Sequence, residues 1–256
     1  ILEELGIAMN VHHRNIVRTF EVIVETDHKC YVVMEPCSVD LFTLLQKHTI
    51  AKGTCVPDDV LSCYFVQLVR GVRYLHSIGV AHRDLKLDNA CVTEQGVVKI
   101  VDFGCATLFR RRVQYVEMLS MGMCGSDPYM APELFTVDHY AAAKVDIWAL
   151  GIIYFAMRHM QFPWAVAHSS RDPHYMAFLT TAKKPSENST AASLAAKDIM
   201  RRIFDQNPAT RADIYDIARD PWFQSLRCCV GEERKSDDAG ACGEHHVHWT
   251  PSTEEP

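Results

Sequence analysis

The stretch that says most about the fold of this chain covers residues 82 to 89 and reads His82-Arg83-Asp84-Leu85-Lys86-Leu87-Asp88-Asn89. Asp84 can accept a proton, Lys86 carries a positive charge, and Asn89 offers an amide oxygen to a metal ion. Chemistry on a metal-bound phosphate needs a proton acceptor, a cation and a metal ligand close together. This short segment therefore predicts a reactive loop rather than a simple connection.

Two further motifs follow this loop in the chain. Asp102-Phe103-Gly104 comes after a predicted β-hairpin, offers a second metal-binding carboxylate, and contains a glycine that permits a sharp turn. Met130-Ala131-Pro132-Glu133 then closes the long segment that begins at Phe103. Each motif alone is a moderate signal, but the three in this order and spacing are specific.

Together these motifs resemble those of eukaryotic-type serine/threonine protein kinases, and the resemblance covers about residues 1–223. It implies an α+β, protein-kinase-like fold of two lobes, with a mostly α-helical C-lobe. It also implies transfer of the γ-phosphoryl group of Mg-ATP to serine or threonine hydroxyls of protein substrates. Asp84, Lys86 and Asn89 would be catalytic, while Asn89 and Asp102 would bind Mg²⁺. Lys86, with Ser126 expected near it, favours the serine/threonine class over the tyrosine class.

The resemblance also implies an ATP site around residues 34 to 40. Met34 matches the gatekeeper, and the backbone of Glu35-Pro36-Cys37 would hold the adenine. Asp40 is predicted to contact the ribose, and Glu4 matches the glutamate of the helix beside the nucleotide. The predicted cofactor-binding residues are thus Met34, Glu35, Cys37, Asp40, Glu4 and Asp102.

Other positions agree with the same family. Asp146 matches the aspartate that anchors the catalytic loop, and Glu133 and Arg211 match an ion pair that fastens the activation segment. The runs 125–133 and 158–164 resemble the fungal halotolerance and nitrogen-permease-reactivator kinases, which regulate plasma-membrane transporters. This implies a role in ion or nutrient transport and a cytoplasmic location, with the neighbourhood of the plasma membrane as one alternative.

The sequence departs from the family at its beginning. The glycine-rich phosphate loop and the strand with the ATP-anchoring lysine are not found, and the 12 glycines nowhere form G-x-G-x-x-G. The N-lobe is therefore predicted to be incomplete: residues 1–36 as its remnant, 37–226 as the C-lobe, and 227–256 as a disordered tail. Two interpretations stay open, a partial chain of an active enzyme or a truncated, catalytically impaired relative that acts as a scaffold. In both, the printed fragment is expected to be a weak or inactive kinase.

Composition limits the partners. A formal net charge of −6 argues against a general nucleic-acid-binding surface, and the apolar run Ile147–Met157 is too short to span a bilayer. The 10 cysteines are scattered without a regular spacing, which predicts reduced thiols. Cysteine and histidine residues near the C-terminus leave zinc binding open as an alternative to a disordered tail.

Charge also predicts substrate choice and regulation. Asp40 and Asp88 match the two carboxylates that hold an arginine three residues before the acceptor in basophilic kinases, whereas Phe155 replaces the acid that would select arginine at minus two. The position usually phosphorylated in the activation segment is Gly122, with Ser120 as the nearest hydroxyl. Activity is therefore expected not to depend on phosphorylation at the usual place.

The chain also predicts its own elements. Residues 1–10 are expected to begin with a helix, and a segment without a clear period is expected from Phe103 to Ala131. The predicted strands are Ile16–Glu25, Cys30–Met34, Ala90–Thr93 and Val97–Val101. A second helix is expected to begin near Asp40. Further helices are predicted over Pro57–Ser77, Ala141–Met160, Pro173–Thr181, Ala191–Phe204 and Arg211–Ala218.

Overall fold

The computed structural model describes residues 2–25, 29–110, 117–181 and 198–230. Within these ranges the helices are α1 (Leu2–Asn10), α2 (Leu41–Lys52), α3 (Asp58–Ser77), α4 (Ala142–His159), α5 (Pro173–Thr181), α6 (Ile214–Arg219) and α7 (Pro221–Ser225). Residues 198–203 are also helical. The strands are β1 (Thr19–Val24), β2 (Cys30–Met34), β3 (Val39–Asp40), β4 (Val80–Ala81), β5 (Ala90–Val92), β6 (Val98–Ile100), β7 (Thr107–Leu108), β8 (Ser120–Met121) and β9 (His139–Tyr140). Two 3₁₀ turns, Asp127–Tyr129 and Pro132–Phe135, lie between β8 and β9.

Two long helices, α3 and α4, contribute much of the core. α3 follows Pro57 and carries Asp58 and Asp59 in its first turn, where carboxylates complement the positive end of the helix dipole. α4 is buried on nearly every face, and Trp148 in its middle is fully buried. The predicted buried helix over residues 141–160 is confirmed to within one residue at each end.

Aromatic packing fastens α4 to the chain that follows it. The ring of Trp148 lies 5.7 Å from that of Trp164, 6.3 Å from that of Tyr175 and 5.3 Å from that of Phe204, measured between centroids. Such tilted and edge-on contacts add to the stability that comes from burying apolar area. The aromatic and aliphatic side chains around α4 therefore form one continuous core.

The sheets are small and antiparallel. β1 pairs with β2, and β3, β5 and β6 form a second sheet in that order. The predicted start of the first strand at Ile16 is wrong, because β1 begins at Thr19. Ile16 instead forms an isolated parallel bridge with Ile100, and the Val17 N–H donates to the Ile100 carbonyl at 2.9 Å. Ile16 is 1% exposed, so its apolar side chain reflects burial beside β6 rather than membership of the first hairpin.

The segment predicted to lack a clear period contains two short strands. β7 pairs with β4, and β8 pairs with β9. Each of these four strands has two residues, which is too short for an alternating pattern to appear in the sequence. The activation segment is therefore fastened at both ends by backbone pairing with distant parts of the chain.

The predicted helix at Arg211–Ala218 starts later than expected, at Ile214. The Asp213 carboxylate accepts hydrogen bonds from the Tyr215 and Asp216 N–H groups, and the Asp216 carboxylate accepts one from the Asp213 N–H. This reciprocal capping box sets the first turn of α6. Arg211 lies before the cap and turns inward toward Glu133.

The β1–β2 hairpin is exposed to an unusual degree. All five residues of β2 are exposed, among them Tyr31, Val33 and Met34 at 48%, 42% and 45%. In β1, Phe20 and Val24 are 51% and 68% exposed. Apolar side chains therefore reach solvent from both faces of this two-stranded sheet, although single strands normally alternate between core and solvent.

The C-terminal end of the described chain packs against α3. Val230 is buried, and its carbonyl accepts a hydrogen bond from Arg70. The predicted disordered tail and its alternative zinc site lie, from residue 231 onward, outside the described residues. Among the described residues no group of three or more His, Cys, Asp and Glu side chains could hold a metal ion. No helix within them is long and apolar enough to cross a membrane.

Candidate active site

The loop from residue 82 to residue 89 lies between β4 and β5, and Asp146 of α4 holds its beginning. Asp146 accepts hydrogen bonds from the His82 N–H at 2.9 Å and the Arg83 N–H at 2.7 Å. The His76 Nε2 atom lies 2.8 Å from the same carboxylate. Asp146 is fully buried, so these partners replace the water that the charge has lost. The loop conformation is consequently set by the most buried helix of the molecule.

Three side chains converge on Asp84. The Lys86 Nζ atom donates to Asp84 Oδ2 at 2.9 Å and to Ser126 Oγ at 3.0 Å. Ser126 Oγ donates to Asp84 Oδ1 at 3.2 Å. The Asn89 Nδ2 atom donates to the Asp84 backbone carbonyl at 2.9 Å and to its Oδ2 at 3.2 Å. The structure therefore brings together the three residues predicted to be catalytic, and Ser126 joins them.

Asp102 stands at the edge of this cluster in a left-handed backbone conformation. Its φ is +62°, and Arg83 in the catalytic loop has a φ of +67°. Non-glycine residues seldom adopt such angles, and they do so mainly where surrounding structure enforces them, often at functional sites. Here Phe103 supplies that support, because its buried ring packs 5.3 Å from the His82 ring. The exposed Asp102 carboxylate consequently points away from the core.

Asn89 and Asp102 have donor atoms that suit a hard cation such as Mg²⁺. The Val101 N–H donates to the Asn89 carbonyl at 3.0 Å, which places the residue before Asp102 directly against Asn89. The Asn89 amide nitrogen is engaged by Asp84, and its amide oxygen receives no hydrogen bond from a described residue. One carboxylate and one amide oxygen are too few for an all-protein cage, but Mg²⁺ is commonly held by one or two such ligands together with phosphates. The residues present therefore fit the ion.

The predicted adenine-binding segment follows β2 directly. Met34 is the last residue of β2, and the Glu35 N–H donates to the Arg18 carbonyl at 2.9 Å. The Glu35 carboxylate is engaged by the Arg18 N–H at 2.7 Å and by Lys99 Nζ at 2.8 Å. These contacts occupy the Glu35 side chain and hold this segment on Arg18, directly before β1, and on β6.

Cys37 and Asp40 both lie next to Cys91 of β5. Asp40 pairs with Cys91 in register, and a hydrogen bond with Cys91 lowers the pKa of the Cys37 thiol below its ordinary value. The Asp40 carboxylate accepts a hydrogen bond from the Thr43 N–H at 2.8 Å and so caps α2. Asp40 thus has a structural task besides the predicted contacts with ribose or substrate. Glu4 belongs to α1, but its side chain lies outside the described residues.

The comparison with known proteins agrees with this geometry. The family model of the protein kinase domain matches residues 1–223. The chain belongs to the protein kinase family. The prediction from the motifs is therefore confirmed, and so is the α+β kinase fold with an incomplete N-lobe and a helical C-lobe.

The chain is similar to several fungal kinases. It is 36% identical over 233 residues to serine/threonine-protein kinase hal4 of Schizosaccharomyces pombe, an alignment that covers 90% of this chain and 36% of the relative. It is 32% identical over 290 residues to the nitrogen permease reactivator protein of Saccharomyces cerevisiae, covering 97% of this chain and 36% of the relative. The predicted resemblance to halotolerance and nitrogen-permease-reactivator kinases is thereby confirmed. The chain spans little more than a third of the length of these relatives.

Several contacts at the kinase site were not predicted from the sequence. No sequence motif indicates the contact of His76 with Asp146 or the packing of Phe103 against His82. The same is true of the hydrogen bond between Cys37 and Cys91. The Tyr129 hydroxyl accepts a hydrogen bond from the Leu87 N–H at 3.3 Å. A tyrosine three residues after the expected Ser126 was a visible signal, because the activation segment must return to the catalytic loop.

The prediction of reduced thiols is wrong for three described cysteines, because Cys105, Cys124 and Cys229 are disulfide-bonded. Cys105 and Cys124 form a disulfide, with their Cα atoms 6.3 Å apart. The sequence gives no sign of this pair, because 19 residues separate the two and only the return of the activation segment brings them together. Thiol groups outside the disulfides are carried by Cys30, Cys37, Cys55, Cys63, Cys91 and Cys228.

Proposed function

We propose that this chain is the catalytic part of a protein serine/threonine kinase, which transfers the γ-phosphoryl group of ATP to protein hydroxyls. The convergence of Lys86, Asn89 and Ser126 on the Asp84 carboxylate is the observation that supports it most directly. Phosphoryl transfer is catalysed mainly by positioning and charge stabilisation, and this cluster supplies both within hydrogen-bond distance.

Each residue has a task in this proposal. Asp84 orients the acceptor hydroxyl and takes its proton. Lys86 keeps its ammonium group within 3 Å of both Asp84 and Ser126, so its charge is held at the point where the phosphoryl group passes. Ser126 fixes the second Asp84 oxygen and ties the activation segment to the catalytic loop.

The nucleotide would be held from two sides. Asn89 and Asp102 would bind Mg²⁺, which neutralises the charge on the phosphates when it is bound. The backbone around Glu35 and Cys37 would hold the adenine, with Met34 beside it and Asp40 toward the ribose. Glu4 would complete the site from α1.

Substrate choice is proposed from two carboxylates. Asp88 is exposed in the catalytic loop, and Asp40 is half-buried at the start of α2. A guanidinium between two carboxylates makes charge-assisted hydrogen bonds of about 1.5–3 kcal/mol each. We expect a moderate preference for arginine at minus three and none at minus two, because Phe155 offers no charge there. A positional peptide library tests this, and an equal or acidic preference at minus three contradicts it.

The physiological role follows from the relatives. The nitrogen permease reactivator protein is named for its action on a permease, so regulation of ion or nutrient transport is proposed for this chain as well. The proposed location is the cytoplasm, close to the plasma membrane where such transporters lie.

The test compares the protein encoded by the complete gene with its Asp84→Asn variant. Transfer of labelled phosphate from Mg-ATP to a basic serine peptide should fall by at least about a hundredfold in the variant. Asp138→Asn is the matched control, because Asp138 is an exposed aspartate away from the cluster. A protein that binds partners but shows no transfer in any form would favour the scaffold interpretation instead.

The chain of residues 1–256 by itself is expected to be a poor enzyme in the same assay. Without a phosphate loop above the nucleotide, the loss of positioning amounts to several orders of magnitude, at about 1.4 kcal/mol per tenfold. If residues 1–256 turn over ATP robustly, and Asp84→Ala abolishes this turnover, the expectation is contradicted.

A further inference from the structure

The disulfide between Cys105 and Cys124 joins the beginning of the activation segment to a point shortly before its closing motif. Cys105 directly follows the Asp102-Phe103-Gly104 motif, and Cys124 directly precedes Gly125 and Ser126. The Cα–Cα distance of 6.3 Å lies within the range that disulfides usually show. The bond therefore links the loop of the proposed metal ligand to the loop that contacts Asp84.

The Cys124 side of this link is tightly built. Gly125 has a φ of +113°, and a Cβ atom there would lie 3.2 Å from the Arg83 carbonyl oxygen. The next residue, Ser126, donates to Asp84. A displacement of Cys124 would consequently be passed on through Gly125 to the catalytic loop, because there is no room between Gly125 and Arg83.

The segment lacks the fastening that a phosphate would provide at the usual place. Gly122 has no hydroxyl, and its carbonyl accepts a hydrogen bond from the Tyr140 hydroxyl at 2.8 Å. Ser120 is 8% exposed and paired with Tyr140 in the β8–β9 ladder. The Arg83 guanidinium lies 5.8 Å above the Tyr140 ring, and its Nε atom is buried without a hydrogen-bond partner among the described residues. Across the segment itself, the Met118 N–H donates to the Phe109 carbonyl at 2.7 Å, and the disulfide adds a covalent link to this hydrogen bond.

We propose that Cys105 and Cys124 form a reversible thiol–disulfide modification site, and that the bond orders the activation segment against the catalytic loop in place of a phosphate. This regulation rests on the proposed kinase function. Both cysteines are partly exposed, so a small disulfide such as glutathione disulfide can reach them. Six other described cysteines keep their thiol groups, and where most thiols stay reduced a disulfide serves mainly for redox sensing or catalysis.

The exchange is balanced in two steps. One cysteine thiolate attacks the small disulfide, forms a mixed disulfide and releases one small thiol. The second cysteine thiolate attacks the mixed disulfide at the protein sulfur and releases the second small thiol. Overall, the two protein thiols lose two electrons and two protons, and one small disulfide becomes two small thiols.

The first measurement does not depend on activity. The chain of residues 1–256 is equilibrated in glutathione buffers of graded oxidation, the bond is quantified by peptide mass spectrometry, and amide hydrogen exchange is followed over residues 119–125. We expect the bond to form reversibly and the exchange to be slower by roughly tenfold in the bridged form, because closing a loop removes open conformations.

Two variants control this measurement. The double substitution Cys105→Ser and Cys124→Ser should show the fast exchange of the reduced chain in every buffer. Replacing the exposed Cys30 and Cys55 by serine should leave the redox response unchanged. If the double variant unfolds, the reduced wild-type chain provides the same comparison without a substitution. A bond that does not form, or exchange that is equal in both states, overturns the proposal.

The second measurement separates the regulation from the function. In the protein from the complete gene, we expect phosphoryl transfer to be roughly threefold or more faster with the bond than without it, because positioning dominates this chemistry. A rate that is equal in both states, or lower with the bond, overturns the proposed role while leaving the kinase function in place. Absence of transfer in both states, together with redox-dependent exchange, contradicts the kinase function and supports the ordering by the bond.

Discussion

Among single residues, Asp172 shows how one carboxylate can organise a loop. It is 5% exposed, and its two oxygens accept hydrogen bonds from the N–H groups of Ala165, Val166, His174 and Tyr175, at 2.7 to 3.2 Å. Burial alone would raise the pKa of Asp172, but these four donors outweigh it and lower the pKa below its usual value. The ionised carboxylate thereby joins the loop after Trp164 to the beginning of α5.

The substitution Asp172→Asn should lower the free energy of unfolding at pH 7 by about 1–3 kcal/mol, because an amide group accepts fewer of these bonds. A carboxylate with a lowered pKa stabilises the fold above its unfolded pKa of about 3.9 and loses this effect as the pH falls through the folded value. The difference between wild type and variant should therefore shrink at pH 3. Urea unfolding at both pH values measures it, with the exposed Asp138→Asn as control. An equal difference at both pH values would argue against the charged state as the cause.

The activation segment contains two serines with different surroundings, one buried in a strand and one in contact with the catalytic loop. Ser120 is buried in β8, whereas Ser126 contacts both Asp84 and Lys86. In the protein from the complete gene, Ser120→Ala should leave the rate of phosphoryl transfer unchanged, and Ser126→Ala should reduce it roughly tenfold, the equivalent of one net hydrogen bond. Steady-state kinetics on the same peptide decides this. Silencing by Ser120→Ala would instead show that this serine is a phosphorylation site.

Between elements, the ion pair of Glu133 and Arg211 joins the end of the activation segment to the loop before α6. Arg211 makes two parallel hydrogen bonds to Glu133, at 2.6 and 2.8 Å, and its guanidinium lies 4.9 Å above the Trp148 ring. Both partners are at most 5% exposed in their side chains. The planar guanidinium is suited to this paired geometry, which a lysine cannot reproduce.

Replacing Arg211 by methionine should destabilise the fold by about 3–5 kcal/mol, because Glu133 would remain buried without its counter-charge. Arg201→Met is the matched control, since Arg201 is 58% exposed and pairs with Asp198 at the surface, where an ion pair contributes about 0–1 kcal/mol. Thermal or urea unfolding measures both variants. Losses of similar size in the two would show that burial does not decide the strength of this pair. Recovery of stability in the double variant Glu133→Gln, Arg211→Met would identify the unpaired charge as the cause.

In the molecule as a whole, the exposed apolar faces of β1 and β2 stand apart from the continuous core around α4. Large contiguous apolar patches on a surface mark interaction sites or aggregation-prone regions. Ile23 and Val33 are 43% and 42% exposed in adjacent strands of this hairpin. Around α4, in contrast, Trp148, Trp164 and Tyr175 are at most 3% exposed.

Replacing Ile23 and Val33 by threonine should reduce both the self-association of residues 1–256 and their binding of a hydrophobic dye, because threonine keeps the β-branched shape and removes apolar surface. The control replaces Ile50 and Met176 by threonine, since these residues are 80% and 48% exposed on helices elsewhere. Light scattering and dye fluorescence measure the outcome. Equal effects of the two double variants would show that the hairpin is no more adhesive than other exposed apolar positions.

The sequence by itself determined the family, the order of the motifs and the long helices. Asp84, Lys86 and Asn89 are close in the chain, so one loop can present them together. The buried helix α4 shows its character in residue types alone, because a helix that is apolar on nearly every face must lie inside. These features depend on local spacing and on solvent transfer, which a linear pattern records.

Only the tertiary structure decided the contacts between distant segments. The pairing of Ile16 with Ile100, the position of His76 on Asp146 and the bond between Cys105 and Cys124 all join residues far apart in the chain. The capping of α2 by Asp40 likewise became visible only with the backbone in place. Such contacts depend on how packed elements bring side chains into reach, and two-residue strands or single cysteines carry no periodic signal of their partners.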